Sequence, residues 1–317
     1  MTGLRVVFLD RESLKVPIAA PRCASEYREF PATSADQVVE RLGGATVAIT
    51  NKVPLRAQTL AQLPQLRMIA IAATGYDIID VPYCREHGIA VANVRGYGVH
   101  SVAEHTFALI LALRRQLLSY REQVRAGEWQ RTSQFCLFGA PIRDLNGSVL
   151  GLVGKGAIGA AVAALGTAFG MQVIFAARAG RKHDEAGVRT LDELLAQADV
   201  ISLHCPLTEA TRGLISEAQL RRMKPTAVLV NCSRGGLVDE AALARALTEG
   251  WIAGAASDVL TREPPTEGNP LLDLALPNFL LTPHVAWASL EAMRTLADQL
   301  IGNVDAWAAG KPRNLVT

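Results

Sequence analysis

The stretch Val-Leu-Gly-Leu-Val-Gly-Lys-Gly-Ala-Ile-Gly, residues 149–159, joins an apolar run to a glycine-rich turn, and an alanine-rich segment of helical character follows it. In such a turn Gly154 allows the tight bend, Gly156 lets the backbone approach a pyrophosphate, and Gly159 permits close packing of helix on strand. Glycines at this spacing also mark ordinary strand-to-helix turns, but the combined strand, turn and helix context favours dinucleotide binding. The predicted cofactor contacts of this turn are Gly154, Lys155, Gly156, Ala157 and Ile158.

Short runs rich in Val, Ile and Ala alternate with helix-like segments on both sides of this turn. Strands that are apolar throughout and separated by helices are typical of a parallel sheet covered on both faces. We predict strands at 6–9, 47–49, 68–72, 89–92, 149–153, 172–176, 200–203, 227–230, 253–256 and 279–281. We predict helices at 101–126, 157–169, 191–197, 240–248 and 290–309. The two alternating blocks predict an α/β fold with two doubly wound parallel-sheet domains.

The bulk composition narrows the class of partner. Lys plus Arg number 32 and Asp plus Glu number 30, a balance that argues against a nucleic-acid or membrane-surface partner and favours a small molecule. The five cysteines are scattered, which suits neither a disulfide framework nor a metal site and fits a reducing cytoplasm. We find no signal-peptide pattern and no apolar run of the ~18 residues that a membrane span needs.

The strand at 172–176 bears on the identity of the cofactor. An acidic residue after this strand would normally accept the ribose 2′-hydroxyl of NAD. That position falls near Ala177, which carries no carboxylate, and Arg178 follows. The basic residues close behind are Arg181, Lys182 and His183. A solvated basic loop is one interpretation, but a lost acid and a gained arginine together favour NADP over NAD, because a guanidinium suits a 2′-phosphate.

In open parallel sheets, ligands bind beyond the carboxyl ends of the strands. The candidates that follow predicted strands are residues 154–156, Arg178, residues 204–206 with Cys205 and Pro206, residues 231–236 with Arg234, Asp258, and residues 282–284 with His284. Arg234 stands in a Gly-Gly loop, and its planar guanidinium suits bidentate capture of a keto acid. Carbonyl reduction also needs a proton donor. His284 with Glu263 as its partner meets that need, because a carboxylate favours the imidazolium form.

Plainer interpretations stand beside these candidates. A lone histidine is more often a structural group than a catalytic one. The histidines interpreted as structural are His87, His100, His105 and His204. Cys205 and Cys232 would suit a nucleophilic mechanism such as aldehyde oxidation, but neither has an evident adjacent base.

Seven blocks in the same order cover nearly the whole chain: 72–77, 102–105, 154–159, 204–208, 231–240, 258–264 and 282–287. Together they resemble the D-2-hydroxyacid dehydrogenase family. Residues 49–55 with 282–287 look most like its glycerate dehydrogenase, or hydroxypyruvate reductase, branch. Two departures from the family pattern are Ala177 with Arg178, which argues against NAD, and Lys155, which fills a position that is often aromatic or apolar.

The resemblance implies a role for each residue of the site. Arg234 is expected to bind the substrate carboxylate and carbonyl, His284 to act as general acid in reduction, and Glu263 to orient and charge His284. Asp258 is expected to contact the nicotinamide carboxamide. The backbone N–H groups of two residues are expected to hold the carboxylate, and these residues are Thr74 and Gly75. Lys52 is either a further substrate contact or a solvated surface lysine.

The resemblance also implies an architecture. Residues 1–98 and 289–317 would form a flavodoxin-like substrate-binding domain, into which a Rossmann dinucleotide-binding domain, residues 99–288, is inserted. Family members usually dimerise through an arm, and the Gly, Pro and aromatic-rich segment 127–144 is the matching part of this chain. We therefore expect a homodimer.

The activity expected from these features is NAD(P)H-dependent reduction of a small 2-keto acid, with NADP preferred. Hydroxypyruvate, giving D-glycerate, and glyoxylate, giving glycolate, are not separated by the sequence. Another D-2-hydroxyacid specificity is one alternative. A non-catalytic nucleotide-sensing protein is a second, but such a protein would tolerate loss of Arg234, Glu263 and His284, which are all present.

Overall fold

A computed structural model describes residues 3–178 and 185–317 of the chain. The chain divides into two compact units, with Met1–Gly98 and Ala288–Thr317 as unit 1 and Val99–Trp287 as unit 2. Unit 2 therefore interrupts the sequence of unit 1, in the manner of an inserted domain. Ala288 lies in unit 1, so unit 2 ends one residue before the boundary expected from the sequence.

In the part of unit 1 that the structure describes, the sheet has five strands: β1 Leu4–Phe8, β2 Ala24–Glu29, β3 Val47–Thr50, β4 Met68–Ile71 and β5 Ala90–Ala92. The helices between them are α1 Val38–Arg41, α2 Ala57–Leu60 and α3 Val81–Glu86. All neighbouring strands are parallel, in the order β2-β1-β3-β4-β5. This is the flavodoxin-like order, whose switch point lies between β1 and β3.

Over the described residues, the sheet of unit 2 has seven strands: β6 Val149–Val153, β7 Gln172–Ala176, β8 Val188–Arg189, β9 Val200–Leu203, β10 Val228–Asn231, β11 Gly254–Ser257 and β12 Phe279–Leu281. The helices of the unit are α4 Val99–Arg114, α5 Leu117–Arg125, α6 Glu128–Arg131, α7 Ala157–Ala168, α8 Leu191–Gln197, α9 Glu217–Arg222 and α10 Glu240–Thr248. The chain then returns to unit 1 with α11, Leu290–Ala308.

The strands of unit 2 are also parallel, in the order β12-β11-β10-β9-β6-β7-β8. The order reverses between β6 and β9, which is the Rossmann switch point where dinucleotides bind. The predicted pair of doubly wound parallel-sheet domains is confirmed.

Both faces of the unit 2 sheet are covered, which explains why its strands are apolar throughout. Leu152 of β6 belongs to the buried cluster that contains Val162 of α7, whereas its neighbour Val153 belongs to the cluster that contains Leu194 of α8. Successive residues of a strand point to opposite faces, so each strand must be apolar on both. Gly151 lets α8 pack closely, because a Cβ there would lie 2.6 Å from the Leu194 side chain.

The sequence prediction missed the strands β2 and β8 and the helices α1, α2, α3, α6 and α9, and it joined two helices into one. The strand β2 was missed because it is rich in charged residues, and it tolerates them because it lies at the edge of its sheet and pairs only with β1. The helix predicted at 101–126 is two helices, α4 and α5, separated by Gln116 with φ of 55°. Neither Gly nor Pro marks this break. Ile110 and Leu113 of α4 are buried whereas α5 buries no residue, so the chain leaves the core at this point.

Candidate functional site

The candidate residues of unit 2 lie along one edge of its sheet. Because neighbouring strands are parallel, their carboxyl ends meet at the same edge. In the order of the strands, the residues that follow them at this edge are His284, Asp258, Arg234, Cys205, Gly154 and Arg178. The strand order therefore places the dinucleotide turn and the predicted catalytic groups at a single edge.

The turn between β6 and α7 leaves open space at one glycine only. Gly154 has φ of 119°, and a Cβ there would lie 2.5 Å from the carbonyl oxygen of His204. A Cβ at Gly159 would overlap the Gly154 carbonyl, whereas a Cβ at Gly156 would meet no atom of residues 3–178 and 185–317 within 4 Å. Gly156 is also the N-cap of α7 and supplies no side-chain cap, so N–H groups of the first helical turn can bind an anion. The turn fits the pyrophosphate of a dinucleotide.

Charged side chains stand beside this turn. The Lys155 ammonium pairs with the Glu185 carboxylate and lies 5.6 Å from the centroid of the Phe175 ring in β7. Arg178, two residues beyond β7, is exposed. The other members of the predicted basic cluster, Arg181, Lys182 and His183, lie outside the described residues. Lys155 thus extends over the second strand of the Rossmann unit, on the side where the adenosine ribose binds in such folds.

The loop after β10 holds Arg234 through its backbone. The Asn231 side-chain amide donates to the Arg234 carbonyl at 2.8 Å, and Asn231 Oδ1 accepts from the Ser233 N–H at 3.0 Å. Position 235 requires glycine, because a Cβ there would overlap the backbone of residues 260–261. The half-buried Arg234 side chain donates from Nη1 to the Ser233 carbonyl at 2.8 Å, which leaves further guanidinium N–H groups for a ligand.

His284 and Glu263 form a direct pair. Glu263 Oε2 lies 2.5 Å from His284 Nδ1, and Glu263 Oε1 accepts from the Leu260 N–H at 2.8 Å. The two side chains are 28% and 33% exposed, so the pair is accessible from solvent while its orientation is set. Because Nδ1 faces the carboxylate, Nε2 is the ring nitrogen that can exchange a proton with a ligand.

The loop that carries His284 is held by Asp258. The backbone of His284 is left-handed, with φ of 56°, which is uncommon for a residue other than glycine. Its N–H donates to the Asp258 carbonyl at 2.8 Å. The Asp258 carboxylate is 1% exposed and accepts from the N–H groups of Val285 at 2.9 Å and Ala286 at 2.8 Å. The carboxylate expected at the nicotinamide carboxamide thus has internal partners at both oxygens.

The side chains of Cys205 and Cys232 do not suit nucleophilic catalysis. Burial raises the pKa of the Cys232 thiol to about 12 and also raises the pKa of the Cys205 thiol. The thiolate is the nucleophilic form, so both groups are inert near neutral pH. Burial likewise lowers the pKa of His204 to about 4, and its Nε2 lies 2.8 Å from Ser202 Oγ. The neutral ring is a structural hydrogen-bond partner.

In unit 1, Lys52 lies at the carboxyl end of β3, beside the switch point. Asp10 follows β1 and is buried. Its carboxylate accepts from the N–H groups of Asn51 at 2.9 Å and Lys52 at 2.6 Å. Asp10 therefore fixes the backbone of the loop from which the exposed Lys52 side chain extends.

Thr74 and Gly75 follow β4, the neighbour of β3, so they lie at the same edge as Lys52. The Thr74 carbonyl accepts from the Asn93 side chain at 2.7 Å, and the Thr74 hydroxyl donates to the Val94 carbonyl at 2.8 Å. Within residues 3–178 and 185–317, the N–H groups of Thr74 and Gly75 donate to no acceptor. They are therefore available to a carboxylate.

Metal and membrane features are absent from the part of the chain that the structure describes. There, no group of three or more His, Cys, Asp or Glu side chains is arranged to hold a metal ion. Over the same residues, no helix has both the length and the apolar character needed to cross a membrane.

Comparison with known proteins identifies the family. The family model for the NAD binding domain of D-isomer specific 2-hydroxyacid dehydrogenases matches residues 107–286. The glycerate dehydrogenase of Methylorubrum extorquens is 49% identical over 313 residues, which cover 98% of this chain and 98% of that protein. The chain belongs to the D-2-hydroxyacid dehydrogenase family.

Two further proteins are similar to this chain at lower identity. The glyoxylate reductase of Aeropyrum pernix is 43% identical over 266 residues, or 81% of this chain and 78% of that protein. Among solved structures, an acyclic imino acid reductase in complex with NADPH and D-Arg superposes with a TM-score of 0.85 at 30% identity, over 99% of this chain and 100% of that one. The resemblance stated from the sequence is confirmed.

The contacts of three side chains of this dehydrogenase were not predicted from the sequence. Glu185 lies next to Lys155 although the two are 30 residues apart, and no local pattern marks it. Thr282 and His105 stand inside blocks that resemble the family, but no spacing rule shows that they meet. Their side chains lie within hydrogen-bond distance although 177 residues separate them in sequence.

Proposed function

We propose that this D-2-hydroxyacid dehydrogenase reduces a small 2-keto acid, hydroxypyruvate to D-glycerate or glyoxylate to glycolate, and prefers NADPH. The observation that carries the proposal is the His284–Glu263 pair, which stands at the same sheet edge as the open turn at Gly156. Support for the substrate class comes from the relatives, a glycerate dehydrogenase and a glyoxylate reductase. The cytoplasm is the proposed compartment, because all five cysteines are free thiols, as is usual in a reducing environment.

A nicotinamide cofactor, held at the turn of residues 154–159, would supply the hydride for the carbonyl carbon of the keto acid. Every other part of the chemistry falls to side chains of the protein. Arg234 holds the carboxylate and carbonyl of the substrate through its free guanidinium N–H groups. His284 gives its Nε2 proton to the carbonyl oxygen as the negative charge develops there, and Glu263 keeps the imidazole in the orientation for this transfer.

Unit 1 carries the other substrate contacts that the family resemblance implies. The N–H groups of Thr74 and Gly75 would bind the substrate carboxylate, since a carboxylate oxygen accepts two such bonds readily. Lys52 would add a positive charge, which strengthens the attraction for the acid. In the reverse reaction the same His284 accepts the hydroxyl proton, as microscopic reversibility requires.

The preference for NADPH is supported by the residues around the second strand. Ala177 stands where NAD-specific folds carry an acid, Arg178 is exposed beside it, and the Lys155 ammonium extends over Phe175 of the same strand. Glu185 is the balancing charge of Lys155, and a 2′-phosphate would compete with it. The related imino acid reductase, solved with NADPH, is consistent with this preference.

The first test is a steady-state assay of purified protein with hydroxypyruvate, using NADPH and NADH in parallel and glyoxylate and pyruvate as alternative substrates. We expect kcat/KM to be higher with NADPH by about 10-fold or more, the worth of one hydrogen bond to a charged group. A clear advantage for NADH would make the cofactor proposal wrong. Folded protein that binds nucleotide yet turns over no 2-keto acid would instead support a nucleotide sensor.

The same preference can be measured without catalysis. Arg178→Ala is expected to weaken binding of 2′,5′-ADP about 10-fold and to leave binding of 5′-ADP unchanged, because only the former carries a 2′-phosphate. The matched control is Arg222→Ala, since Arg222 is exposed on α9 and pairs with Asp192. Equal weakening of both nucleotides, or none, would remove Arg178 from the cofactor site.

We also propose that the protein is a homodimer built through the segment 127–144. Its side chains Phe135 and Phe138 are 91% and 81% exposed, and Trp129 is 50% exposed, which is costly for large aromatic groups in water. Sedimentation is expected to give twice the chain mass of 33.9 kDa for the wild type and a shift towards monomer for Phe135→Ser with Phe138→Ser. A monomeric wild type at micromolar concentration would contradict the proposal.

A further inference from the structure

A chain of hydrogen bonds links helix α4 to the loop that carries His284. His105 Nε2 lies 3.0 Å from Thr282 Oγ1, and Thr282 Oγ1 lies 2.5 Å from Asp258 Oδ1. Both oxygens of the Asp258 carboxylate already accept backbone N–H groups, so the Thr282 hydroxyl donates to the carboxylate. The Thr282 oxygen then accepts from His105, which places a proton on His105 Nε2.

This chain of hydrogen bonds leads to the loop of His284, where the backbone of the site is strained. His284 has φ of 56°, and a non-glycine residue keeps such a conformation only when its surroundings impose it. Asp258 contributes to it through its carbonyl, which accepts from the His284 N–H, and through its carboxylate, which accepts from Val285 and Ala286; the His284 N–H also donates to the Thr282 carbonyl at 3.0 Å. The Asp258 carboxylate therefore holds the backbone that directly follows His284, from which the imidazole extends.

Orientation of a buried carboxylate needs more than backbone donors. Asp258 is 1% exposed, so water does not compensate for a lost partner. Thr282 supplies the third hydrogen bond to the carboxylate, and His105, whose side chain is 22% exposed, fixes the rotation of that hydroxyl. His105 Nε2 is also 3.7 Å from Asp258 Oδ1, close enough to act on the same charge.

We propose that Thr282 and His105 are positioning residues of the active site, which act through Asp258 to hold the His284 loop in the geometry for proton transfer. This rests on the proposed reductase function. The plainer alternative is that the two residues only stabilise unit 2. The alternatives differ in outcome, because a stabilising residue changes the melting temperature, whereas a positioning residue changes kcat in protein that is fully folded.

The central experiment compares Thr282→Val with Thr282→Ser, assayed with hydroxypyruvate and NADPH. Valine keeps the shape but removes the hydroxyl, and we expect kcat to fall about 10- to 100-fold with little change in either KM, since misplacing a reacting group by about 1 Å costs this much. Serine retains the hydroxyl and should recover kcat to within about 3-fold. The matched control is Thr248→Val, because the Thr248 hydroxyl donates to its own helix at Ala244 on the exposed side of α10.

A variant of His105 tests the same chain of hydrogen bonds and does not depend on whether Thr282→Val folds. His105→Phe keeps a ring and removes the donor, and kcat should fall about 10-fold while NADPH binding, followed by fluorescence, stays unchanged. The double variant His105→Phe with Thr282→Val should be no slower than Thr282→Val alone, because both changes interrupt the same chain of hydrogen bonds.

Three results would overturn the proposal: a wild-type kcat in folded Thr282→Val, equal loss in the Val and Ser variants, or additive losses in the double variant. If Thr282→Val does not fold, a wild-type kcat in His105→Phe would overturn it alone. Failure of the reductase function would look different, since the wild-type protein would then turn over no 2-keto acid.

Discussion

Replacing His284 with asparagine is expected to lower kcat for 2-keto acid reduction by about 10³-fold, the usual worth of a positioned general acid. Asparagine is chosen because it tolerates the left-handed backbone that His284 adopts, with φ of 56°, better than most residues. The side-chain amide cannot give up a proton at neutral pH. The measurement is steady-state turnover with NADPH, together with fluorescence titration to show that the cofactor still binds.

A variant of Glu263 serves as a comparison for this prediction, and a variant of His87 serves as its control. Glu263→Gln keeps a hydrogen-bond acceptor near Nδ1 but removes the charge, so a smaller loss of about 10- to 100-fold is expected. His87→Asn should have no effect on turnover, because His87 is exposed in unit 1. A His284→Asn enzyme that keeps a tenth of the wild-type kcat would show that another group donates the proton.

Replacing Arg234 with glutamine is expected to have the second large effect on kcat/KM for the 2-keto acid. The guanidinium can form two charge-assisted hydrogen bonds to a 2-keto acid, and each is worth about 1.5–3 kcal/mol. Their loss is expected to lower kcat/KM by about 10³-fold, chiefly through a higher KM for the keto acid. The KM for NADPH should change little, because the glycine turn that binds it lies two strands away in the sheet, after β6, with β9 between them.

Lysine at the same position separates charge from geometry. Arg234→Lys keeps the positive charge but cannot bind a carboxylate and a carbonyl in parallel, so it should recover less than about 10-fold of the lost kcat/KM. Arg245→Gln is the matched control, since Arg245 is exposed on α10 and pairs with Glu217. An unchanged KM in Arg234→Gln would assign the capture of the substrate carboxylate to other residues.

The position of a strand in its sheet explains whether it could be predicted from the sequence. The inner strands of unit 2 are buried on both faces, so their apolar composition is visible in the sequence. The edge strand β2, Ala24–Glu29, carries four polar residues and resembles a loop until its pairing with β1 is known. Likewise the break at Gln116 has no Gly or Pro, because it follows from where the buried face of α4 ends.

The sequence by itself determined the α/β class, the glycine turn at 154–159, and the candidates Arg234, Glu263 and His284, because strand ends and glycine spacing are local patterns. The pairing of His284 with Glu263 was also predicted from the sequence, and the structure places the two side chains 2.5 Å apart. Only the tertiary structure decided the contacts of Lys155 with Glu185, 30 residues apart, and of His105 with Thr282, 177 residues apart, which depend on the order of the strands and on where α4 packs against them. Hydrogen bonds form over about 3 Å, and no local pattern along the chain specifies a distance that short between residues so far apart.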